Sequence, residues 1–145
     1  MMISRRPQGH AIGRAVLFLV AICFIVSSHS GLQNATGAEK FTPSDFKQLK
    51  GRWQRPDGEY ILELKQMESD GTVKAAYFNP RPINVSRAEL KRRGDTLTVY
   101  VELRDVNYPG SRYNLQYDAK LDRLTGTYFQ AVHGETYTVE FSRVK

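Results

Sequence analysis

Cysteine is nearly absent from the chain, and the one that it has, Cys23, lies in the first 38 residues. Residues 39–145 have none, which excludes a disulfide framework, a thiolate metal site and a thiol nucleophile from that part. Histidine is almost as scarce there, since only His133 remains, so a multi-histidine metal site is excluded too. We therefore expect no metal, no cofactor and no catalytic residue set.

Acidic residues are absent from the first 38 positions, which carry three arginines instead. Residues 15–26 form an apolar run of twelve, whereas a membrane-spanning helix needs about 20. A basic start followed by a short apolar run is typical of a signal peptide. Small residues allow cleavage after Ser30 or after Ala38, and we favour Ala38. The prediction is a signal peptide over residues 1–38 and an exported protein, periplasmic or secreted, with an uncleaved N-terminal anchor as the alternative.

The excess of basic over acidic residues is small once residues 1–38 are left out. The whole chain has a net charge of +6, but residues 39–145 hold 18 basic against 15 acidic residues. Half of the excess therefore belongs to the export segment, and we expect no nucleic-acid partner. The remaining 107 residues suffice for one domain with one core. We expect a monomer that meets the membrane only through its export signal.

Apolar and polar residues alternate with period two through most of the chain after Gly51, most clearly over residues 96–104 and 112–118. Seven clusters of turn-forming residues interrupt the alternation, which predicts eight antiparallel strands. An up-and-down meander of this size avoids two long free edges by closing into a barrel. In the fourth strand the apolar residues Ile83 and Val85 have one parity, whereas Ala88 and Leu90 have the other, which predicts a bulge near Ser86 and Arg87.

A short helix is predicted before the strands, because Pro43 follows Thr42 and suits the first helical position. Gly51 would end it. The predicted fold of residues 39–145 is thus an all-β, eight-stranded, up-and-down antiparallel barrel preceded by a short N-terminal helix.

The sequence Gly51-Arg52-Trp53 at the start of the first strand resembles the calycin superfamily of lipocalins, fatty-acid-binding proteins and avidins. In that superfamily a basic residue of the last strand packs across the tryptophan. Arg143 has the matching position here, in the inward parity of the last strand. The resemblance implies structural roles for Gly51, Trp53 and Arg143, and a guanidinium stacked on an indole ring would close one barrel end.

Four segments resemble a second group, small exported bacterial proteins with no assigned function. They are residues 54–58 (QRPDG), 77–85 (YFNPRPINV), 101–111 (VELRDVNYPGS) and 128–131 (YFQA). This resemblance supports the compartment and the barrel, and it implies no chemistry.

Two segments, residues 79–84 and 102–112, are read as loops rich in polar side chains. In an up-and-down order the third-to-fourth, fifth-to-sixth and seventh-to-eighth links lie at one end of the barrel. Residues of these links form the candidate ligand site, which we call the rim. The rim residues are Asn79, Arg81, Glu102, Arg104, Asp105, Asn107, Tyr108, Gln130 and His133.

The barrel interior is a second candidate site, because six tyrosines share the inward parity. They are Tyr60, Tyr77, Tyr113, Tyr117, Tyr128 and Tyr137. Six such rings favour a packed interior, yet their hydroxyls need partners, which a small polar cavity would supply.

The function expected from these features is non-catalytic binding, either of an unknown small molecule at the barrel mouth or of an envelope protein at the rim. The alternative is a periplasmic enzyme inhibitor of the protease-inhibitor type, which would insert a loop or its N-terminal segment into a target. A third possibility is a small enzyme that uses Glu102 and Asp105 for acid–base chemistry.

Overall fold

Antiparallel strands make up most of residues 41–145, the part of the chain that the computed structural model describes. The signal peptide expected over residues 1–38 lies outside the described residues, together with both candidate cleavage sites. The elements are α1 (Pro43–Leu49), β1 (Gly51–Gln54), β2 (Ile61–Met67), β3 (Val73–Asn79), β4 (Arg81–Ile83), β5 (Val85–Arg93), β6 (Thr96–Asp105), β7 (Tyr108–Asp118), β8 (Arg123–Gln130) and β9 (Glu135–Arg143).

The strands form one sheet that curls into a nearly closed barrel. Each strand pairs antiparallel with the next along the chain, except that β4 and β5 do not pair, and β1 pairs with β9. The open part of the barrel is therefore a seam between β3 and β5. These two strands meet at a bridge between Thr72 and Glu89, beside a 2.7 Å hydrogen bond from the Leu90 amide to the Gly71 carbonyl.

Nine strands are present in residues 41–145, so the prediction of eight is wrong. The predicted fourth strand divides at Asn84, because β4 pairs with β3 whereas β5 pairs with β6. The chain thus leaves one edge of the sheet and joins the other at this residue. The predicted bulge near Ser86 and Arg87 is confirmed by a shift in the β5–β6 register between Val85 and Arg87.

The predicted short helix is confirmed as α1. Thr42 is its N-cap: the Thr42 side chain accepts a hydrogen bond from the Asp45 amide, and the Asp45 carboxylate accepts one from the Thr42 amide. This reciprocal pair satisfies amides that the first helical turn leaves free. Over residues 41–145, no helix is long and apolar enough to cross a bilayer.

Helix α1 covers one end of the barrel, where Trp53 is fully buried. The indole nitrogen donates to the Leu49 carbonyl at 2.9 Å, and the guanidinium carbon of Arg143 lies 4.1 Å from the centre of the Trp53 ring. A Cβ on Gly51 would lie 3.2 Å from Nη1 of Arg143, a tight contact. Gly51, Trp53 and Arg143 therefore form one packed unit at the covered end.

Candidate functional site

The opposite end of the barrel holds an open cavity, which we call the mouth cavity. Four links lie at this end: residues 55–60, Pro80, residues 106–107 and residues 131–134. The cavity has a volume of about 830 Å³. Its lining residues are Arg55, Asp57, Tyr60, Asn79, Arg81, Pro82, Ile83, Asp105, Asn107, Tyr108, Tyr128, Gln130 and Tyr137.

Six of the nine rim residues line the mouth cavity. They are Asn79, Arg81, Asp105, Asn107, Tyr108 and Gln130. Glu102, Arg104 and His133 do not line it. His133 lies exposed in the β8–β9 link, and Glu102 and Arg104 pair with each other, with 2.7 Å between Arg104 Nη2 and Glu102 Oε1.

The outward position of Glu102 and Arg104 follows from strand geometry. Residues 102–112 are not a loop, because residues up to 105 belong to β6, residues from 108 belong to β7, and residues 106–107 alone link them. Leu103 is buried in the core, so its two neighbours in the strand face outward. The interpretation of this segment as a loop was therefore wrong.

The two carboxylates of the enzyme hypothesis lie in separate surroundings. Asp105 lines the mouth cavity and accepts hydrogen bonds from the amides of Asn84 and Val106, at 2.9 and 2.8 Å, which lower its pKa. The pKa of Glu102 is lowered chiefly by its hydrogen bond with Arg104. Neither carboxyl is poised near neutral pH, and the structure does not bring the pair to one site.

Sequence reasoning missed Arg55 and Asp57, which belong to the link between β1 and β2. The same alternation of links that identified three others places this link at the same barrel end. The order of the strands therefore predicts that this link joins the rim. We interpreted residues 56–58 only as one of the seven turns and did not include them.

Arg55 is the most deeply placed charge of the mouth cavity, with 9 % of its surface exposed. Its Nε donates to Oδ1 of Asp57 at 2.9 Å, its Nη2 donates to Oδ2 of Asp57, and its Nη1 donates to the Tyr113 hydroxyl at 3.3 Å. The guanidinium carbon also lies 4.4 Å from the centre of the Tyr60 ring. Burial opposes the charge, yet the hydrogen bonds with Asp57 and Tyr113 raise the pKa of Arg55 overall. Arg55 thus stays a cation.

A short chain of hydroxyls continues from Arg55 into the core. The hydroxyls of Tyr113 and Tyr77 lie 2.7 Å apart. Burial raises the pKa of Tyr113 to about 12 and raises that of Tyr77 as well, so both phenols remain neutral. The chain satisfies polar groups that would otherwise be buried without partners.

The interior below the mouth cavity is filled with aromatic rings. The Tyr113 ring stacks on Tyr128 with centroids 4.5 Å apart and meets Phe141 edge-on at 5.4 Å. Tyr77, Tyr113 and Tyr128 are buried, whereas Tyr137, which pairs with Tyr128 and so shares its inward parity, is 42 % exposed at the mouth. The rings thus fill the interior below the mouth cavity, and Tyr137 joins the lining of that cavity.

Other parts of the cavity lining are polar. The side-chain amide of Asn79 donates to the Tyr108 hydroxyl at 2.6 Å, and Arg81 is exposed at the entrance. The cavity can therefore offer hydrogen bonds, aromatic faces and positive charge to a small molecule.

A metal centre needs several ligating side chains close together. Within residues 41–145, no three His, Cys, Asp or Glu side chains come together in that way. Comparisons with protein-family models, with curated proteins and with solved structures found no match to the chain.

Proposed function

We propose that the protein is an exported, non-catalytic binding domain with a calycin-like barrel, and that its small-molecule site is the mouth cavity. The cavity itself carries the proposal. Its volume of about 830 Å³ lies within the range of small-molecule sites, roughly 300–1,000 Å³. Such sites combine apolar walls with a few fixed polar groups. Here Tyr60 and Tyr128 supply aromatic faces and Arg55 a fixed charge, in a lining of which seven of the thirteen residues are charged or amide side chains.

The test is native mass spectrometry of residues 39–145, purified gently and compared with the same sample after denaturation. We expect an additional mass that leaves on denaturation. Gln130→Trp, which fills the cavity from the end of β8, should lose this mass. Leu121→Trp, in the exposed turn at the other end of the barrel, is the matched control and should keep it. A bound mass that survives Gln130→Trp would contradict the proposed site, and an apo mass in all three proteins would contradict the proposed function.

A second candidate is protein binding at the mouth, as in an inhibitor of an envelope enzyme. Two apolar side chains at the tips of the mouth links favour it, since Val106 is 91 % exposed and Val132 is 54 % exposed. Single exposed apolar residues are common on protein surfaces, but these two lie in links at the same barrel end, where together they offer a partner an apolar contact area. Val106→Asp combined with Val132→Asp should abolish inhibition or partner capture, and should leave the mass bound in the mouth cavity unchanged.

A further inference from the structure

The positive charge of Arg55 in the mouth cavity is neutralised by the carboxylate of Asp57, which belongs to the same β1–β2 link. Arg55 and Asp57 are two residues apart, and Asp57 receives two hydrogen bonds from the same edge of the guanidinium. This paired geometry is the one in which arginine binds carboxylates best. The Asp57 side chain therefore occupies the position in which a carboxylate ligand of Arg55 would bind.

The two partners differ in how firmly they are held. The Arg55 side chain is 10 % exposed and is fixed by the Tyr113 hydroxyl and by the Tyr60 ring. The Asp57 side chain is 58 % exposed and sits in a turn whose neighbours, Pro56 and Gly58, are exposed as well. A movement of this turn would free the guanidinium edge without disturbing the core.

Removing Asp57 from Arg55 without a replacement is costly, because a largely buried cation would lose its counter-ion. A ligand carboxylate supplies the same two hydrogen bonds and the same charge. The matching amide carries no charge, and its oxygen can replace only one of the two carboxylate oxygens, because its NH2 group is a donor that faces a second donor of the guanidinium. The site should therefore discriminate an acid from its amide by charge and by geometry.

We infer that the mouth cavity binds a small organic carboxylate with an aromatic or apolar body, whose carboxylate exchanges with that of Asp57 on Arg55. This inference rests on the proposed function. The body of the ligand would lie against Tyr60 and Tyr128, whose ring centres are 4.4 and 5.9 Å from the Arg55 guanidinium carbon, and against Ile83, which also lines the cavity. Arg81, exposed at the entrance, adds a positive charge to the cavity lining, and Asp105 adds a negative one.

Asp57 then acts as an internal competitor that lowers the affinity for the ligand. The apparent affinity of a site is reduced by the fraction of molecules in which the site is blocked. Asp57→Asn keeps the size of the side chain but removes the competing charge. It should therefore tighten binding of carboxylates, by about tenfold or more if the pair is formed in at least nine-tenths of the free molecules.

The test is calorimetric titration with benzoate, phenylacetate and 3-phenylpropanoate, each beside its amide. We expect at least one acid to bind to the wild-type protein, its amide to bind at least tenfold more weakly, and Asp57→Asn to bind the acid about tenfold more tightly. Arg55→Gln should lose binding of the acid. Asp122→Asn is the matched control, because Asp122 accepts the same two hydrogen bonds from Arg143 at the covered end of the barrel, away from the mouth cavity. Its effect on binding should be less than threefold.

Thermal unfolding provides a second readout that does not depend on a strong titration signal. Asp57→Asn should melt below the wild type without ligand, and the binding acid should raise its melting temperature by more than that of the wild type. Equal binding of acid and amide, equal gains in Asp57→Asn and Asp122→Asn, or no binding of any acid by Asp57→Asn at millimolar concentration would each overturn the inference. A neutral molecule found in the mouth cavity by native mass spectrometry would overturn it too, while leaving the proposed function intact.

Discussion

Two arginines in similar settings mark the two ends of the barrel. Arg55 and Arg143 each stack on an aromatic ring and each pair with one carboxylate through two hydrogen bonds. Arg143 also donates to the Lys50 carbonyl at 2.8 Å and lies at the end that α1 covers. Arg55 instead faces an open cavity. The same pairing of arginine, aromatic ring and carboxylate therefore occurs at the end that α1 covers and at the end that stays open.

At this scale, Arg143→Lys should lower the free energy of unfolding by about 1–2 kcal/mol, because lysine loses the planar stacking and the paired hydrogen bonds with Asp122. Urea unfolding followed by the fluorescence of Trp53, the one tryptophan of the chain, would measure the change. Arg123→Lys is the matched control. Its partner, Glu140, forms an exposed pair, and a loss of about 0.5 kcal/mol or less is expected. Equal losses in the two variants would contradict a special role for Arg143.

The helix α1 is too short to be stable alone, so its contacts with the barrel decide whether it forms. Asp45 contributes to helix formation and to contact with the barrel, because it completes the capping box with Thr42 and pairs with Arg92 of β5. The hydrogen bond with Arg92, followed by that from the Thr42 amide, lowers the pKa of Asp45 to about 2. One carboxylate thus ties the helix to the barrel.

This coupling predicts a pH dependence. The pKa of Asp45 is lower in the folded chain than in the unfolded chain, where aspartate titrates near 4. Its contribution to stability is therefore present above about pH 4 and is lost as the pH falls towards 2. Asp45→Asn should be less stable than the wild type by about 1 kcal/mol at pH 7, and the difference should shrink below pH 4.

Urea midpoints of both proteins at pH 7, 4 and 2.5 would check this prediction. Asp95→Asn, in the exposed β5–β6 turn, is the control and should follow the wild type throughout. A difference between Asp45→Asn and the wild type that does not change with pH would contradict the role given to the carboxylate.

Across the whole molecule, the strand pairs of the barrel differ in how extensively they are hydrogen-bonded. β7 pairs along its length with both β6 and β8, whereas β3 and β5 meet only around Thr72 and Glu89. Gly71 lies at this seam with a φ of 89°, and a Cβ there would lie 2.7 Å from the Leu90 carbonyl oxygen. The seam depends on a glycine at this position.

Amide hydrogen exchange would detect this difference between the seam and the centre of the sheet. The Leu90 amide should exchange before the amide of Leu115 in the centre of β7, because opening the seam breaks few hydrogen bonds. Gly71→Ala should accelerate exchange at Leu90 and leave Leu115 unchanged. Gly94→Ala also forces alanine to a positive φ, but nothing lies within 4 Å of its Cβ, so it should not change exchange at Leu90. Equal protection of Leu90 and Leu115 in the wild type would contradict the prediction.

Local features of the sequence were enough to predict the type of fold. Period-two alternation marked the strands, Thr42 and Pro43 marked the helix, and the parity change near Ser86 marked the bulge. These signals depend on residues close in sequence, and the pairing of neighbouring strands in a meander follows from short turns. The alternation around Leu103 also predicts that Glu102 and Arg104 face outward. We did not make this prediction, because their segment was interpreted as a loop.

Tertiary structure decided what depends on contacts between distant residues. The division of a strand at Asn84 follows from two different partners, β3 and β6, and alternation within one segment carries no information about either. The mouth cavity likewise needs four links brought to one end, with the aromatic packing around Tyr113 filling the space below. By itself the sequence determined an antiparallel β-barrel with one short helix. The number of strands, the position of the seam and the meeting of Arg55 and Tyr113, 58 residues apart, were decided by pairing and packing across the whole sheet.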